Sequence, residues 1–333
     1  MRSRLAVFLG TALAVGLLAW LIVRLDDREA LLAAFSIAAR RPVALLGGLA
    51  FFGGCLGCGT LRWMVLLRAL SLPIPAKRAL QLYAVGHFFN IVVPGATGGD
   101  VVKATCAAVD SPGRRPEAVA SILAERIIGL LALCVLVATV ALALPGFYGI
   151  SQEMCMLRGV ALLLGFGAVV GSVLAFGSDW TRRVPVLDGS RRWHSGVNVL
   201  LRAYRAIRVC AGHPRVLAST FVLSLANHLG AVACAWSLGI ALGLEIAVAD
   251  YLAVIPLVNA VASVPLTPGG AGVRETASVA LLTVAGASSA QATALSLLVY
   301  GVILVWALLG GICYLAMRKQ VPGRNLRKKV TSQ

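Results

Sequence analysis

Long apolar runs alternate with short polar breaks along this chain, and six runs are long enough to cross a bilayer as single helices. A helix rises about 1.5 Å per residue, so an apolar core of about 30 Å takes roughly 20 residues. The pattern predicts spans over Leu5–Val23, Pro42–Leu61, Val119–Leu144, Met156–Phe176, Val216–Leu242 and Gln291–Met317. The first follows Arg2 and Arg4 and resembles a signal peptide. Its apolar run is longer than an ordinary leader core, and the A-x-A at Ala12–Ala14 lies inside it, so the expectation is an uncleaved span.

Two further apolar stretches are interrupted. Ala79–Val109 breaks at Pro94–Gly95, and Asp250–Gly286 breaks at Pro265, Pro268, Gly269 and Gly270. Charge decides how they run. With the N-terminus inside and both stretches turning back, the cytoplasmic segments are 1–4, 62–78, 110–118, 178–215 and 318–333. These hold 2, 4, 2, 8 and 6 of the 30 Lys and Arg. If the first stretch crossed fully, the basic segment 178–215 would face outward; if only the second did, the tail "RKQVPGRNLRKK" would. Either violates the positive-inside bias.

The predicted fold is therefore an all-α polytopic membrane protein, with about six full transmembrane helices plus two oppositely oriented re-entrant helical hairpins. Residues 1–317 form a single membrane domain, and 318–333 a basic cytoplasmic tail. The hairpin arms are Leu80–Val93 with Thr97–Val109, and Tyr251–Val264 with Gly272–Gly286. Both breaks share a plan of Asn, Pro-Gly, further glycines and then charge, which is the trace that inverted-repeat transporters leave.

Composition supports this picture. The chain is 59% hydrophobic and only 13% charged, about half the charge of a globular domain. The net charge of +17 sits mainly in short loops, where it encodes topology and meets anionic lipid; nucleic acid is not an expected partner. "RRWHSGVNVLLRAYRAIRV", 191–209, puts Trp193, Val197, Leu200, Leu201, Tyr204 and Ile207 on one face, a basic amphipathic helix for the cytoplasmic leaflet. Of eight cysteines, Cys55 and Cys58 form a C-x-x-C pair with no second pair, so neither a metal site nor a cofactor is expected.

The candidate chemistry lies at the breaks. Pro94 and Pro268 end the entering arms, and Gly95, Gly98, Gly99, Gly269 and Gly270 allow close backbone approach. Each returning helix then presents unpaired N–H groups and a positive dipole end, which suits an anion, phosphate above all. Asn90 and Asn259 are expected to bond the unwound backbone, and His87 to face a cavity. Tyr300 and Trp306 read as packing residues. Charges within a bilayer cost about 2.5–3.5 kcal/mol each, so six of them need partners. Asp100 and Lys103 stand at i and i+3, and Glu125–Arg126 and Arg274–Glu275 are adjacent. Lys103, Arg126 and Arg274 read as phosphate counter-charges; Asp100, Glu125 and Glu275 balance charge or carry a coupling proton. The competing reading is three structural ion pairs that lock the hairpins to the bundle.

The segments "LRWMVLLRAL", "GHFFNIVVPGATGGDVVK", "AVASILAERIIGLLAL" and "VPLTPGGAGVRETASVALL" occur in this order. Together they resemble the lysylphosphatidylglycerol synthase transmembrane (flippase-like) family over nearly the whole chain, as a stand-alone member without the aminoacyl-transferase domain. The resemblance implies translocation of a lipid with a phosphorylated or charged head group in the bacterial cytoplasmic membrane. By position it points to Asn90, Asp100, Lys103, Glu125, Arg126 and Glu275. Lys103 departs from the arginine expected there, which loses bidentate phosphate geometry. The expected partner is a membrane lipid with an anionic head group, with lipid-modifying enzymes and a homo-oligomer as further partners.

Two other functions compete with this one. One is a membrane-embedded transferase acting on polyprenyl-phosphate or phospholipid, for which "DDRE" at 26–29 supplies paired acids in a short outer loop. The other is a scaffold for lipid-modifying enzymes. Turnover of a sugar or aminoacyl donor would favour the first; partner capture without lipid movement would favour the second.

Overall fold

In a computed structural model of the chain, the described residues are 28–93, 98–177, 212–264, 267, 270 and 272–320. Among them are eleven helices: α1 (Arg28–Ala39), α2 (Pro42–Ala69), α3 (Ala76–Val92), α4 (Gly98–Asp110), α5 (Arg115–Ala143), α6 (Pro145–Tyr148), α7 (Gln152–Gly177), α8 (Pro214–Leu242), α9 (Val248–Ala262), α10 (Val273–Val284) and α11 (Ser289–Gln320). The expected first span, the amphipathic segment 191–209, Gly95, Gly269 and nearly all of the tail lie outside the described residues.

Five helices are long and apolar enough to cross a membrane: α2, α5, α7, α8 and α11. They match the other five expected spans, and the protein is a polytopic helical membrane protein. Two boundaries need correction. The second span does not stop at Leu61 but runs to Ala69, because its apolar periodicity continues through Leu66, Leu67 and Leu70, all buried. Arg62 therefore belongs inside the bundle and not to a cytoplasmic loop. Residues 28–39, expected in a loop, form α1, which packs on α8 and α11 with Ala34 and Ala38 buried.

The long helices α2 and α8 lie against each other over most of their length. Asn227 Nδ2 donates to the Cys55 carbonyl at 2.7 Å and Ser237 Oγ to the Ala44 carbonyl at 2.8 Å. Trp306 Nε1 ties α11 to α2 through the Leu49 carbonyl at 3.0 Å, as expected of a packing residue. By contrast α7 leans mainly on α5 and presents Leu163, Leu164, Phe166 and Val173 outward. Such a surface suits lipid.

The two interrupted stretches form hairpins of short helices, α3 with α4 and α9 with α10. In the first, the Arg78 guanidinium pairs with Asp110 at 2.7 Å, joining the start of α3 to the end of α4. Nearby, Arg114 donates to the Ser71 carbonyl at 2.8 Å, so the base of this hairpin sits beside the start of α5. In the second, Asp250 and Ala285 share a surface pocket with Leu144 and Pro145, beside the end of α5. The 29 residues of α5 separate the two bases by about 44 Å. Both hairpins pack against α5 and α11, so their broken ends converge between those helices.

Candidate functional site

The centre of the site is Glu125, on α5 and only 4% exposed. Its Oε1 accepts from Arg62 Nη2 at 3.0 Å and its Oε2 from Lys103 Nζ at 2.5 Å. Arg62 Nη1 also donates to Ser224 on α8 at 2.9 Å. Arg126, the next residue on α5, pairs with Asp100 instead. Successive helix positions point about 100° apart, so Glu125 and Arg126 diverge toward Lys103 and Asp100, which stand almost one turn apart on α4.

This pairing differs from the one expected. The sequence offers Asp100 with Lys103 along one helix; the structure links each to the neighbouring helix, and recruits Arg62 from α2. No ion pair joins Arg274 to Glu275 among the described residues. Inter-helix pairing follows from packing: α4 lies on α5, and a buried charge is tolerated only where a partner of opposite sign replaces water.

Lys103 suits its place. Its Nζ stands 4.8 Å from the Trp63 ring centroid and 4.7 Å from that of Tyr83, within cation–π range. Trp63 is held in turn by Ser121 Oγ at 3.0 Å. A compact ammonium fits between two ring faces and a carboxylate, where the planar fork of arginine requires more width.

The glycines serve packing. Gly98 and Gly99 are buried in the first turn of α4, and a side chain on Gly99 would overlap the Gly86 carbonyl and the Asn90 side chain. Asn90 Oδ1 accepts the Gly99 N–H at 2.8 Å, the expected bond to broken backbone. At the second break Gly270 and Gly272 have φ of 76° and 80°, a region that L side chains disfavour. Glu275 Oε2 accepts the Gly272 N–H at 2.5 Å, capping its own helix. One N–H at each break is thus satisfied from within the chain. Gly98, Gly99, Gly270 and Glu275 stand behind the cavity wall.

That cavity encloses about 360 Å³ between the hairpins. The first hairpin contributes His87, Asn90, Asp100 and Lys103, and the second contributes Asn259, Ser263 and Arg274. Arg62, Glu125, Arg126, Asn227, His228 and Ser296 come from the long helices. Four cations face two carboxylates, leaving two positive charges in excess. Of these residues, sequence reasoning missed Arg62, Asn227, His228 and Ser296. Arg62 has a signal, a charge within an unbroken apolar period; the others look like ordinary polar residues of a span. Among the described residues no group of three His, Cys, Asp or Glu is placed to hold a metal ion.

These features define a helical integral membrane protein with a buried, net-positive cavity between two hairpins of short helices. Residues 7–311 match the family described as the lysylphosphatidylglycerol synthase TM region, and the chain belongs to that family. No curated protein matches the sequence.

Proposed function

We propose that this protein moves a membrane lipid with a phosphorylated or charged head group between the leaflets of the cytoplasmic membrane, without covalent chemistry on the lipid. The observation that carries this reading is the single cavity walled by both hairpins, in which cations outnumber carboxylates four to two. An anionic head group would restore the balance, and its tails would lie along the apolar faces of the bundle.

The hairpins are read as re-entrant from opposite faces, the two halves of an inverted repeat. Their bases lie at opposite ends of α5, and their broken ends meet at the cavity. A shift of one hairpin would open the cavity to its own side, the logic of alternating access in repeat-built transporters. Asp100 and Glu125 balance charge within the cavity.

The test is a vesicle assay. Purified protein is reconstituted with a trace of fluorescent phosphatidylglycerol, and an impermeant reductant is added outside. Protein-containing vesicles are expected to lose the inner-leaflet signal at a rate that scales with protein per vesicle. Rates equal to those of empty vesicles would refute the reading.

A further inference from the structure

The cavity has two unlike walls. On the α4–α5 side every lining cation already has a carboxylate: Arg62 and Lys103 share Glu125, and Arg126 holds Asp100. On the α10–α11 side Arg274 has no carboxylate within 4.0 Å among the described residues, and its buried Nε has no hydrogen-bond partner. Three more buried polar atoms of lining residues are unmatched: Ser296 Oγ, His87 Nε2 and Arg62 Nε, the last on a guanidinium whose two Nη atoms are both bonded. Ser296 is only 3% exposed. Unpaired polar atoms in a buried site are costly, and a charged one most of all. Arg274 Nε on α10 and Ser296 Oγ on α11 describe a seat shaped for a missing acceptor.

We infer that Arg274 and Ser296 form the oxyanion seat of the cavity, taking a phosphate group, while Lys103, Arg62 and Arg126 remain committed to the carboxylate network. This deepens the anionic-lipid reading and rests on it. The guanidinium of Arg274 supplies charge and parallel donors, and Ser296 supplies a hydroxyl donor. The committed network acts as scaffold, holding α4 against α5 whether or not the seat is filled.

The experiment measures binding by calorimetry to the full-length protein in detergent. The probes are dioctanoyl-phosphatidylglycerol, dioctanoylglycerol, which has the tails without the phosphate, and inorganic phosphate. Wild type is expected to bind the phospholipid at least tenfold more tightly than dioctanoylglycerol. Arg274→Gln should weaken phospholipid binding roughly tenfold or more, since a charge-assisted bond is lost. Arg274→Lys should recover part of it, and Ser296→Ala should cost a few-fold. Lys103→Met should lower the unfolding temperature while keeping affinity within about twofold of wild type. Should that variant fail to fold, Arg126→Gln, whose side chain is 40% exposed, serves the same comparison.

Competition by inorganic phosphate would show that the seat reads the oxyanion alone; phospholipid binding without such competition would show that it needs the lipid form. Either supports the seat. Arg274→Gln binding like wild type, an equal loss in the network variant, or no wild-type binding of either phosphate probe would overturn it. Arg274-dependent binding without lipid movement in vesicles would keep the seat and refute translocation. Movement with Arg274-independent binding would do the reverse.

Discussion

Glu125 on α5 receives Lys103 from α4 at 2.5 Å with one oxygen, and with the other it receives Arg62 from α2 at 3.0 Å. One carboxylate thereby clamps three helices, and the clamp forms a wall of the cavity. Removing one partner of a buried pair leaves an uncompensated charge, at a cost of about 3–5 kcal/mol. Glu125→Gln is therefore expected to lower the unfolding temperature sharply, measured by thermal unfolding in detergent. Lys103→Met combined with Glu125→Gln should be less destabilised than the two single losses added together, because one stranded cation is gone.

Gly99 faces the Gly86 carbonyl so closely that any side chain collides with backbone. Gly99→Ala should destabilise the protein by about 1–3 kcal/mol, the usual cost of overpacking, and more if the Asn90 bond is lost. Gly54→Ala, where a side chain meets open space, should stay within about 0.5 kcal/mol of wild type. The same unfolding measurement checks both.

Asp100 is expected to be needed for transport without being needed for the fold. Asp100→Ala breaks the ion pair with the half-exposed Arg126, a modest loss for a pair that water partly reaches. The variant should elute as wild type on gel filtration and lose movement of fluorescent phosphatidylglycerol in vesicles. Retained movement would remove Asp100 from the site. Glu275→Ala, by contrast, removes a helix cap and should cost about 1 kcal/mol of stability.

The placement of the hairpin bases gives a topology prediction. In a background with the native cysteines replaced, Pro112→Cys and Ser289→Cys should react with a membrane-impermeant maleimide from opposite sides. Both residues are exposed, one beside each base. Labelling of both from one side would rule out opposed re-entrant hairpins.

The sequence by itself determined the class and the layout. Five of its expected spans match helices because about 20 apolar residues leave a chain in lipid no other way to satisfy its backbone. The two breaks were legible because clustered proline and glycine end a helix, and the entering helices stop at Val92 and Ala262, whereas single residues such as Gly54 and Pro256 are carried inside helices. Local rules also foresaw that Asn90 would serve the broken backbone. Pairing was not legible. Asp100 has Lys103 within reach along its own helix, yet it bonds Arg126, because the choice depends on which helix packs alongside. Arg62 looked like a loop cation until α2 was seen to continue past it. Only the tertiary structure could separate the matched cations at Glu125 and Asp100 from Arg274, since a charge in sequence carries a sign but not a distance, and burial makes the distance decisive.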